Sequence, residues 1–262
     1  MIDLHSHLLP GIDDGAQTLD DSLTMARQAV ADGTTILACT PHIYPGLFLN
    51  TPAIISQAVA QLRQALKDHA IPLELVYGAD IQIIPELVSQ LRCGELPTLN
   101  NTRYFLFEPP HHVPNTAMLE LVHNSVAAGF VPIITHPERL SYALGKYREF
   151  TEAVASGAWL QLTGNAITGH FGPDVAKLSE RFLRDGLVHI VASDAHDARH
   201  RPPVLSHAYE RCVALVGEAE AEQLFVQRPR AILANASPAD VAPPAPEVKA
   251  TGLKGLLTRW LG

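Results

Sequence analysis

Metal-ligating side chains recur directly after short apolar runs along this chain, and this recurrence limits the folds that it can adopt. The first run leads into Asp3-Leu4-His5-Ser6-His7, and later runs lead into Thr40-Pro41-His42, Gly78-Ala79-Asp80, Phe107-Glu108, Thr135-His136-Pro137-Glu138-Arg139 and Ser193-Asp194-Ala195-His196. Because His5 and His7 alternate at the end of a predicted strand, both imidazoles point to one side of the backbone and can share one metal ion. A lone His-x-His motif is weak evidence for a metal site, but five further recurrences are hard to assign to chance.

The apolar runs alternate with helical patterns, which is typical of repeated βα units around a parallel sheet. Helical spacing is seen for Leu19, Leu23, Ala26 and Val30, and again for Ile55, Val59, Leu62 and Leu66. Seven strands are predicted, over Met1–His5, Thr35–Thr40, Leu73–Tyr77, Tyr104–Phe107, Val131–Thr135, Trp159–Leu162 and Leu187–Ala192. This number of strands predicts an α/β barrel.

Active sites of such barrels form at the carboxyl ends of the strands, where the βα loops converge. Candidate ligands follow every predicted strand except the one that ends at Leu162, where Gln161 and Asn165 could hydrogen-bond. With Asp14 of the Asp13-Asp14-Gly15 motif included, the candidate metal ligands are His5, His7, Asp14, His42, Asp80, Glu108, His136, Asp194 and His196. We therefore predict that these side chains meet in one bowl.

Nine such ligands exceed the capacity of one tetrahedral ion, so two to three divalent ions with bridging carboxylates are expected. Glu108 is the best candidate bridge. The donor set of imidazoles and carboxylates suits Mn, Fe, Zn or Mg. Clustered ions lower the pKa of a water molecule towards neutrality, and the resulting hydroxide can attack phosphorus in line.

Other side chains near these motifs are candidates for binding substrate. Arg139 and Arg201 are placed to grip phosphate oxygens as a clamp. His111 and His112 lie in a Pro-rich loop after the fourth strand, and they are interpreted either as substrate contacts or as ordinary loop residues. Asp13 is interpreted as a cap of the following turn rather than as a ligand.

Composition narrows the class of protein and its partners. The chain has 262 residues, 47% of them apolar, which is enough for one large domain with a substantial core. The formal charge is -8 and no long basic run occurs, so a nucleic-acid partner is not expected. No N-terminal segment has the pattern of a secretory signal, and the three cysteines form no Cys-x-x-Cys pair. We therefore expect a cytoplasmic protein with reduced thiols.

The C-terminal part of the chain differs in composition from the rest. After residue 236 the sequence becomes rich in Ala, Pro and Glu. We expect a catalytic barrel over residues 1–236, a Pro/Ala-rich linker over 237–252 and a short basic amphipathic helix over 253–262. That helix could pack on the domain itself or dock onto a membrane surface or a partner.

The motifs above, together with Tyr77-Gly78-Ala79-Asp80 and Arg201-Pro202-Pro203, resemble those of the polymerase and histidinol phosphatase (PHP) superfamily. Within it the chain is most similar to the CpsB/YwqE type of bacterial metal-dependent tyrosine-protein phosphatase of capsular and exopolysaccharide operons, from Met1 to about Asn235. The resemblance implies a distorted (β/α)7 TIM-like barrel of the PHP type. It also implies two to three metal ions, usually manganese, held by the nine candidate ligands, with Arg139 and Arg201 binding phosphate. The implied substrate is the phosphorylated, tyrosine-rich tail of a membrane-associated bacterial tyrosine kinase.

One position departs from that family. Relatives commonly have Gly-Ala-Glu where this chain has Gly-Ala-Asp, so Asp80 must reach a metal ion with a side chain shorter by one methylene. A backbone shift or a bridging water would compensate for the difference; otherwise one ion is bound more weakly.

Three other functions are kept as alternatives. The chain could be a PHP-type phosphatase of a small-molecule monoester such as histidinol phosphate, an inactive binding module, or a metal-dependent amidohydrolase. Amidohydrolases with two metal ions often need a carboxylated lysine after a barrel strand. The lysines here are Lys67, Lys146, Lys177, Lys249 and Lys254, and none follows a predicted strand. The amidohydrolase is therefore the weaker of the two enzymatic alternatives.

Overall fold

Parallel strands surround the centre of the computed structural model, which describes residues 1–246. These residues form nine strands in two sheets, with the orders β1-β2-β4 and β3-β5-β6-β7-β8-β9. The strands are β1 Ile2–Ser6, β2 Ile36–Cys39, β3 His42–Ile43, β4 Glu74–Tyr77, β5 Asp80–Gln82, β6 Tyr104–Glu108, β7 Val131–Thr135, β8 Trp159–Thr163 and β9 Ile190–Ala192. All neighbouring pairs are parallel, as the alternation of strands and helices predicts.

Each of the seven predicted strands is present, and two of them continue after a short break. Thr40-Pro41 separates β2 from β3, and Gly78-Ala79 separates β4 from β5. Pro41 has no N–H to donate to a neighbouring strand, so the ladder is interrupted there. Its carbonyl still accepts a hydrogen bond from Asp80 N–H at 3.2 Å. The short strands β3 and β5 were not predicted, and they carry the second and third predicted strands into the wall that holds the candidate ligands.

The first and last strands meet through backbone hydrogen bonds. Asp194 N–H donates to His5 O at 2.9 Å, and His7 N–H donates to Ala195 O at 2.8 Å. These bonds place the carboxyl end of β1 beside the residues that follow β9. The result is a distorted (β/α)7 barrel, as predicted, in which the carboxyl ends of the strands share one face.

Ten α-helices are described, and most of them pack around the outside of the strands. They are α1 Leu19–Ala31, α2 Pro52–Asp68, α3 Leu87–Cys93, α4 Met118–Ala127, α5 Tyr147–Ala155, α6 Gly164–Ile167, α7 Pro173–Arg184, α8 Ser206–Val216, α9 Glu218–Glu222 and α10 Arg228–Leu233. The predicted apolar face of α2, which consists of Ile55, Val59, Leu62 and Leu66, is buried. In α1 the first residue of the predicted face, Leu19, is 44% exposed because it lies at the start of the helix.

The floor of the barrel is a cluster of strand side chains. Tyr104 and Leu106 precede Glu108 at intervals of two residues, so all three point to the same side of β6. Tyr104 and Leu106 belong to one buried apolar cluster with Ile133 and Trp159, and the rings of Tyr104 and Trp159 lie 5.0 Å apart. The cluster closes the barrel below the level of Glu108, which leaves the carboxyl ends of the strands as the open face.

The described part of the predicted linker lies against the domain. Buried Arg228 pairs with Glu220 at 2.7 Å and donates to the carbonyl oxygens of Ala242 and Pro243, both at 2.9 Å. Residues 247–262, which include the predicted helix 253–262, lie outside the described residues. Within residues 1–246 no helix has the length and apolar character needed to cross a membrane.

Candidate metal centre

Histidine and carboxylate side chains from six of the strand ends meet at the open face of the barrel. All of the predicted ligands are in this cluster. The closest pairs are His5 Nε2 to His7 Nε2 at 3.2 Å, His7 Nε2 to Asp194 Oδ1 at 3.4 Å, His196 Nε2 to Asp14 Oδ1 at 3.4 Å, His136 Nε2 to Glu108 Oε1 at 3.4 Å, His5 Nε2 to Asp80 Oδ2 at 3.5 Å and His42 Nδ1 to Asp80 Oδ2 at 3.6 Å. The predicted convergence is therefore what the fold produces.

These separations suit shared metal ions. Two donors bound to the same tetrahedral ion at ordinary Zn–N or Zn–O lengths lie about 3.4 Å apart. Four groups have donor atoms that all lie within 4.8 Å of one another: His7, Asp14, His42 and His196; His5, His7 and Asp80; His42, Asp80 and Glu108; and Glu108, His111 and His136. Because His7, His42, Asp80 and Glu108 each belong to two groups, the arrangement fits adjoining ions better than one isolated ion.

Asp80 reaches the middle of the cluster despite its short side chain. Its Oδ2 atom is buried and has no hydrogen-bond partner. Burial, followed by the negative charge of Glu108, raises the pKa of Asp80 well above its usual value. A buried carboxylate oxygen without a partner is costly, and a bound cation would remove that cost. The donor set thus fits a divalent metal, and the position of Asp80 is compatible with a role as a ligand.

Two polar side chains orient the paired histidines of β1. Asp13 Oδ2 lies 2.7 Å from His7 Nδ1, and Gln161 Oε1 lies 2.8 Å from His5 Nδ1. Each contact engages Nδ1 and leaves Nε2 directed into the cluster, as is usual for histidines that bind metal ions. Asp13 also accepts from Gly15 N–H at 3.0 Å, so it organises the turn as predicted and has a second role that its sequence context did not indicate.

Two of the predicted ligands lie at strained backbone positions. His136 has φ +33° and Asp194 has φ +50°, a left-handed conformation that is uncommon for residues other than glycine. His136 directly follows β7, and Asp194 lies two residues after the end of β9. The chain turns sharply at both positions and directs the side chain back into the bowl. Such strain is often found at functional sites.

The two predicted phosphate-binding arginines meet on one carboxylate. Arg139 and Arg201 both donate to Asp194 Oδ2, the latter at 2.5 Å, whereas Asp194 Oδ1 faces the histidines. Burial would raise the pKa of Asp194, but Arg201, His5 and Arg139 hold it well below its usual value. The side chains of Arg139 and Arg201 are 16% and 21% exposed. Both guanidinium groups are therefore fixed at the rim of the cluster and remain accessible.

The loop after β6 adds a residue that sequence reasoning left open. His111 Nε2 lies 2.9 Å from Glu108 Oε1, and the His111 ring lies 5.1 Å from that of His136. His111 thus belongs to the edge of the candidate centre. Its position three residues after Glu108 was the only available signal, because the proline-rich loop offers no periodicity to interpret.

None of the described lysines has the position after a barrel strand that the carboxylated lysine of many two-metal amidohydrolases occupies. Lys67 and Lys177 lie in helices α2 and α7, and Lys146 precedes α5. No lysine among residues 1–246 lies at the carboxyl end of a strand. This placement agrees with the low rank that sequence reasoning gave to the amidohydrolase alternative.

Comparisons with known proteins find relatives over most of this chain. The model of the family described as "Capsular polysaccharide synthesis, CpsB/CapC" matches residues 1–234. Tyrosine-protein phosphatase YwqE of Bacillus subtilis is 38% identical over 202 residues, which cover 77% of this chain and 79% of the relative. Tyrosine-protein phosphatase CpsB of Streptococcus pneumoniae is 30% identical over 238 residues, which cover 89% and 98%. A crystal structure from the study of these two proteins, described as unique metal-dependent tyrosine phosphatases, superposes with a TM-score of 0.89 at 32% identity and covers 94% of this chain and 98% of its own.

Proposed function

Because the chain belongs to the CpsB/CapC family of capsular polysaccharide synthesis, we propose that it is a metal-dependent protein-tyrosine phosphatase, a phosphoric monoester hydrolase. The observation that carries this function is the cluster of nine histidine and carboxylate side chains at one end of the barrel, with two accessible arginines at its rim. Imidazole and carboxylate donors suit divalent ions, and guanidinium groups suit phosphate oxygens. The relatives with the same fold are named tyrosine-protein phosphatases.

The candidate ligands hold two to three divalent ions, of which manganese is the first choice. The proposed ligands are His5, His7, Asp14, His42, Asp80, Glu108, His136, Asp194 and His196. Bound divalent ions supply Lewis acidity towards a phosphate oxygen and lower the pKa of water, so no covalent protein nucleophile is needed. Asp13 and Gln161 keep His7 and His5 in the orientation that presents Nε2.

Arg139 and Arg201 bind the phosphate dianion and orient it. Both guanidinium groups rest on the same oxygen of Asp194, which fixes their direction before substrate arrives. Planar guanidinium groups present several N–H donors in a fixed fork, so two of them can engage oxygens that the ions leave free. Preorganised positive charge stabilises negative charge that accumulates on the phosphoryl group during transfer, and it requires little reorganisation at that moment.

The proposed substrate is the phosphorylated, tyrosine-rich tail of a membrane-associated tyrosine kinase of capsular or exopolysaccharide synthesis. An open bowl suits a flexible peptide, because the tail can enter and leave without the opening of a domain. The phosphatase acts in the cytoplasm. The predicted segment 253–262 is proposed to provide a contact with the membrane or a partner, and the chain from Pro243 onward is proposed to be dispensable for hydrolysis of a free peptide.

Phosphate release from a tyrosine-phosphorylated peptide by chelator-stripped protein, with and without manganese, tests the proposed function. We expect release only with metal, loss of release in His136→Ala, and normal release in the matched variant His123→Ala, because His123 is exposed on α4 and pairs with Ser156. Absence of release in both conditions would overturn the assignment. In that case histidinol phosphate, the small-molecule alternative, is the next substrate to assay.

A further inference from the structure

A cavity of about 420 Å³ opens beside the candidate metal centre. Asp14, His42 and Glu108 form its polar end. Gln82 of β5 also lines it, and its other walls come from two segments, the hairpin loop (residues 44–48) and the proline loop (residues 109–113). The cavity therefore joins candidate metal ligands to apolar surface without an intervening element.

The hairpin loop is anchored to the metal centre. Tyr44 N–H donates to Phe48 O at 2.9 Å and Phe48 N–H donates to Tyr44 O at 2.8 Å, which closes a tight turn. Pro45 and Gly46 occupy the centre of that turn, and Gly46 has φ +85°, as a type II turn needs at its second central residue. The Phe48 ring stacks on His42 with ring centroids 5.6 Å apart and planes 15° apart. The loop thus holds a fixed position beside a candidate ligand.

The proline loop is anchored in the same way on the other side of the cavity. His111 contacts Glu108 through Nε2, and its carbonyl oxygen accepts from Ser141 N–H at 3.0 Å and from Ser141 Oγ at 3.1 Å. Pro109 and Pro110, which connect Glu108 to His111, each have a fixed φ because of the proline ring. Val113, the last residue of the loop, is 66% exposed. Both walls are therefore preformed rather than dependent on closure around a ligand.

Exposed apolar side chains are concentrated at these walls. Eight large hydrophobic residues in the described part of the chain are exposed, and four of them, Tyr44, Leu47, Leu49 and Val113, lie in or next to the two loops. Tyr44, Leu47 and Val113 line the cavity, whereas Leu49 does not. Apolar surface that is left exposed beside a polar centre usually marks a ligand-binding site.

We propose that this cavity binds the aromatic ring of the phosphorylated tyrosine and that Leu47 and Val113 determine the preference for aryl over alkyl phosphates. The inference rests on the proposed function and names the part of the site that recognises the substrate class. A phosphotyrosine side chain has a flat apolar ring with the phosphate at its far end. The cavity has candidate ligands at one end, and its walls combine the apolar side chains of both loops with Gln82, His111 and His112. A phosphorylated serine has no ring, so it leaves the cavity empty and the walls in water.

Calorimetric binding of two phosphonates to the manganese-loaded protein tests the inference. Phenylphosphonate and methylphosphonate share the phosphonate group and differ in the ring. We expect tighter binding of phenylphosphonate by the unmodified protein. In the double variant Leu47→Ser, Val113→Ser the ratio of the two Kd values falls about fivefold, because much of the contact area is lost, while the Kd of methylphosphonate is unchanged. Both residues are exposed, so the double variant keeps its fold. The single variant Leu47→Met, which keeps an apolar side chain, should show the same ratio as the unmodified protein.

Two control variants locate the effect. Leu49→Ser changes a residue that follows the hairpin loop and does not line the cavity. Leu144→Ser changes an equally exposed leucine in a separate groove beside Arg139. Both variants should leave the ratio of the two Kd values unchanged. Equal Kd values in the unmodified protein, an unchanged ratio in the double variant, or a fall in Leu144→Ser would each overturn the inference. If one of these results is found and the protein still releases phosphate from phosphotyrosine, the proposed function holds and only the inference about the cavity is wrong. If it releases no phosphate and binds neither phosphonate, both are wrong.

Discussion

The carboxylate of Asp13 lies 2.7 Å from His7 Nδ1 and accepts a second hydrogen bond from the backbone N–H of His42 at 3.1 Å. One side chain thus orients one candidate ligand and fixes the backbone of another. Burial would lower the pKa of His7, but Asp13, and after it Asp194, raise this pKa to about 10 in the metal-free protein. Asp13 is therefore a positioning residue of the candidate centre rather than one of its ligands.

Replacement of Asp13 should weaken metal binding without unfolding the protein. We expect Asp13→Asn to lower manganese affinity by about 10- to 100-fold, because the histidine loses the carboxylate that orients it and raises its basicity. Metal titration of chelator-stripped protein measures this change. Asp20→Asn, at an exposed position in the first turn of α1, should bind manganese like the unmodified chain. Equal affinity in Asp13→Asn and Asp20→Asn would contradict the positioning role.

Replacement of Gln161 tests whether the orientation of His5 also supports metal binding. Its Oε1 atom orients His5, but its Nε2 atom is buried without a partner. Gln161→Leu should therefore weaken metal binding, while the unfolding midpoint of the metal-free protein changes little, because the removal of a buried unpaired donor offsets the loss of the partner of His5 Nδ1. Metal titration and urea unfolding separate the two effects. A large loss of stability with normal metal affinity would mean that Gln161 only supports the core.

Gly15 should tolerate no side chain. A Cβ atom at this position would lie 2.1 Å from His7 O and 2.4 Å from His7 Cβ, so the loop or the first strand must move. We expect Gly15→Ala to lower the free energy of unfolding by about 1–3 kcal/mol and to weaken metal binding. Gly145→Ala is the matched substitution, since its Cβ would meet only Tyr142 O at 3.6 Å. Urea unfolding of both variants should show a clear difference between them.

Loss of either rim arginine should impair turnover more than stability. We expect kcat/KM for a phosphotyrosine peptide to fall by about 10²–10³-fold in Arg139→Ala and Arg201→Ala, since each removes a preorganised donor from the reacting phosphate. Steady-state kinetics at saturating manganese provides the measurement. Arg211→Ala, which removes an exposed arginine paired with Glu180, is the control. Full activity of Arg139→Ala would remove Arg139 from the phosphate clamp.

His189, a buried histidine outside the candidate centre, should contribute to a loss of stability in mild acid. Burial, and then Arg228, lower the pKa of His189 from 6.5 to about 3. Its Nδ1 atom accepts from Leu160 N–H at 3.2 Å, and its ring stacks on Trp159. Between these pKa values the unfolded chain binds one more proton at this site than the folded chain, so the free energy of unfolding falls as the pH drops below 6.5.

The variant His189→Asn keeps an acceptor near Nδ1 and cannot titrate. We expect it to be less stable than the unmodified protein at pH 7, because the stacked ring is lost, but to lose less stability between pH 7 and pH 5. Urea unfolding at the two pH values gives this difference. Parallel pH profiles for the two proteins would show that another group dominates the acid response.

The positions of the candidate ligands could be predicted from the sequence, because they depend on the order of residues at the end of each strand. Apolar runs of strand length define the strands, and in a parallel barrel every strand ends on the same face. The side chains after those strands, from His5 to His196, must therefore converge, whatever the details of packing. The same reasoning identified Arg139 and Arg201, and residue chemistry alone indicated metal and phosphate.

Other features depend on contacts between distant parts of the chain, and only the tertiary structure decided them. Gln161 meets His5 across 156 residues, and no local pattern indicates that pairing. Asp13 looks like a turn cap until the fold brings the backbone of His42 to it. The left-handed backbone of His136 and the two exposed walls at Leu47 and Val113 likewise arise from packing around the bowl. The sequence thus determined which side chains reach the site, and the fold decided how they are held and what surface surrounds them, because orientation is set by neighbours that only folding brings together.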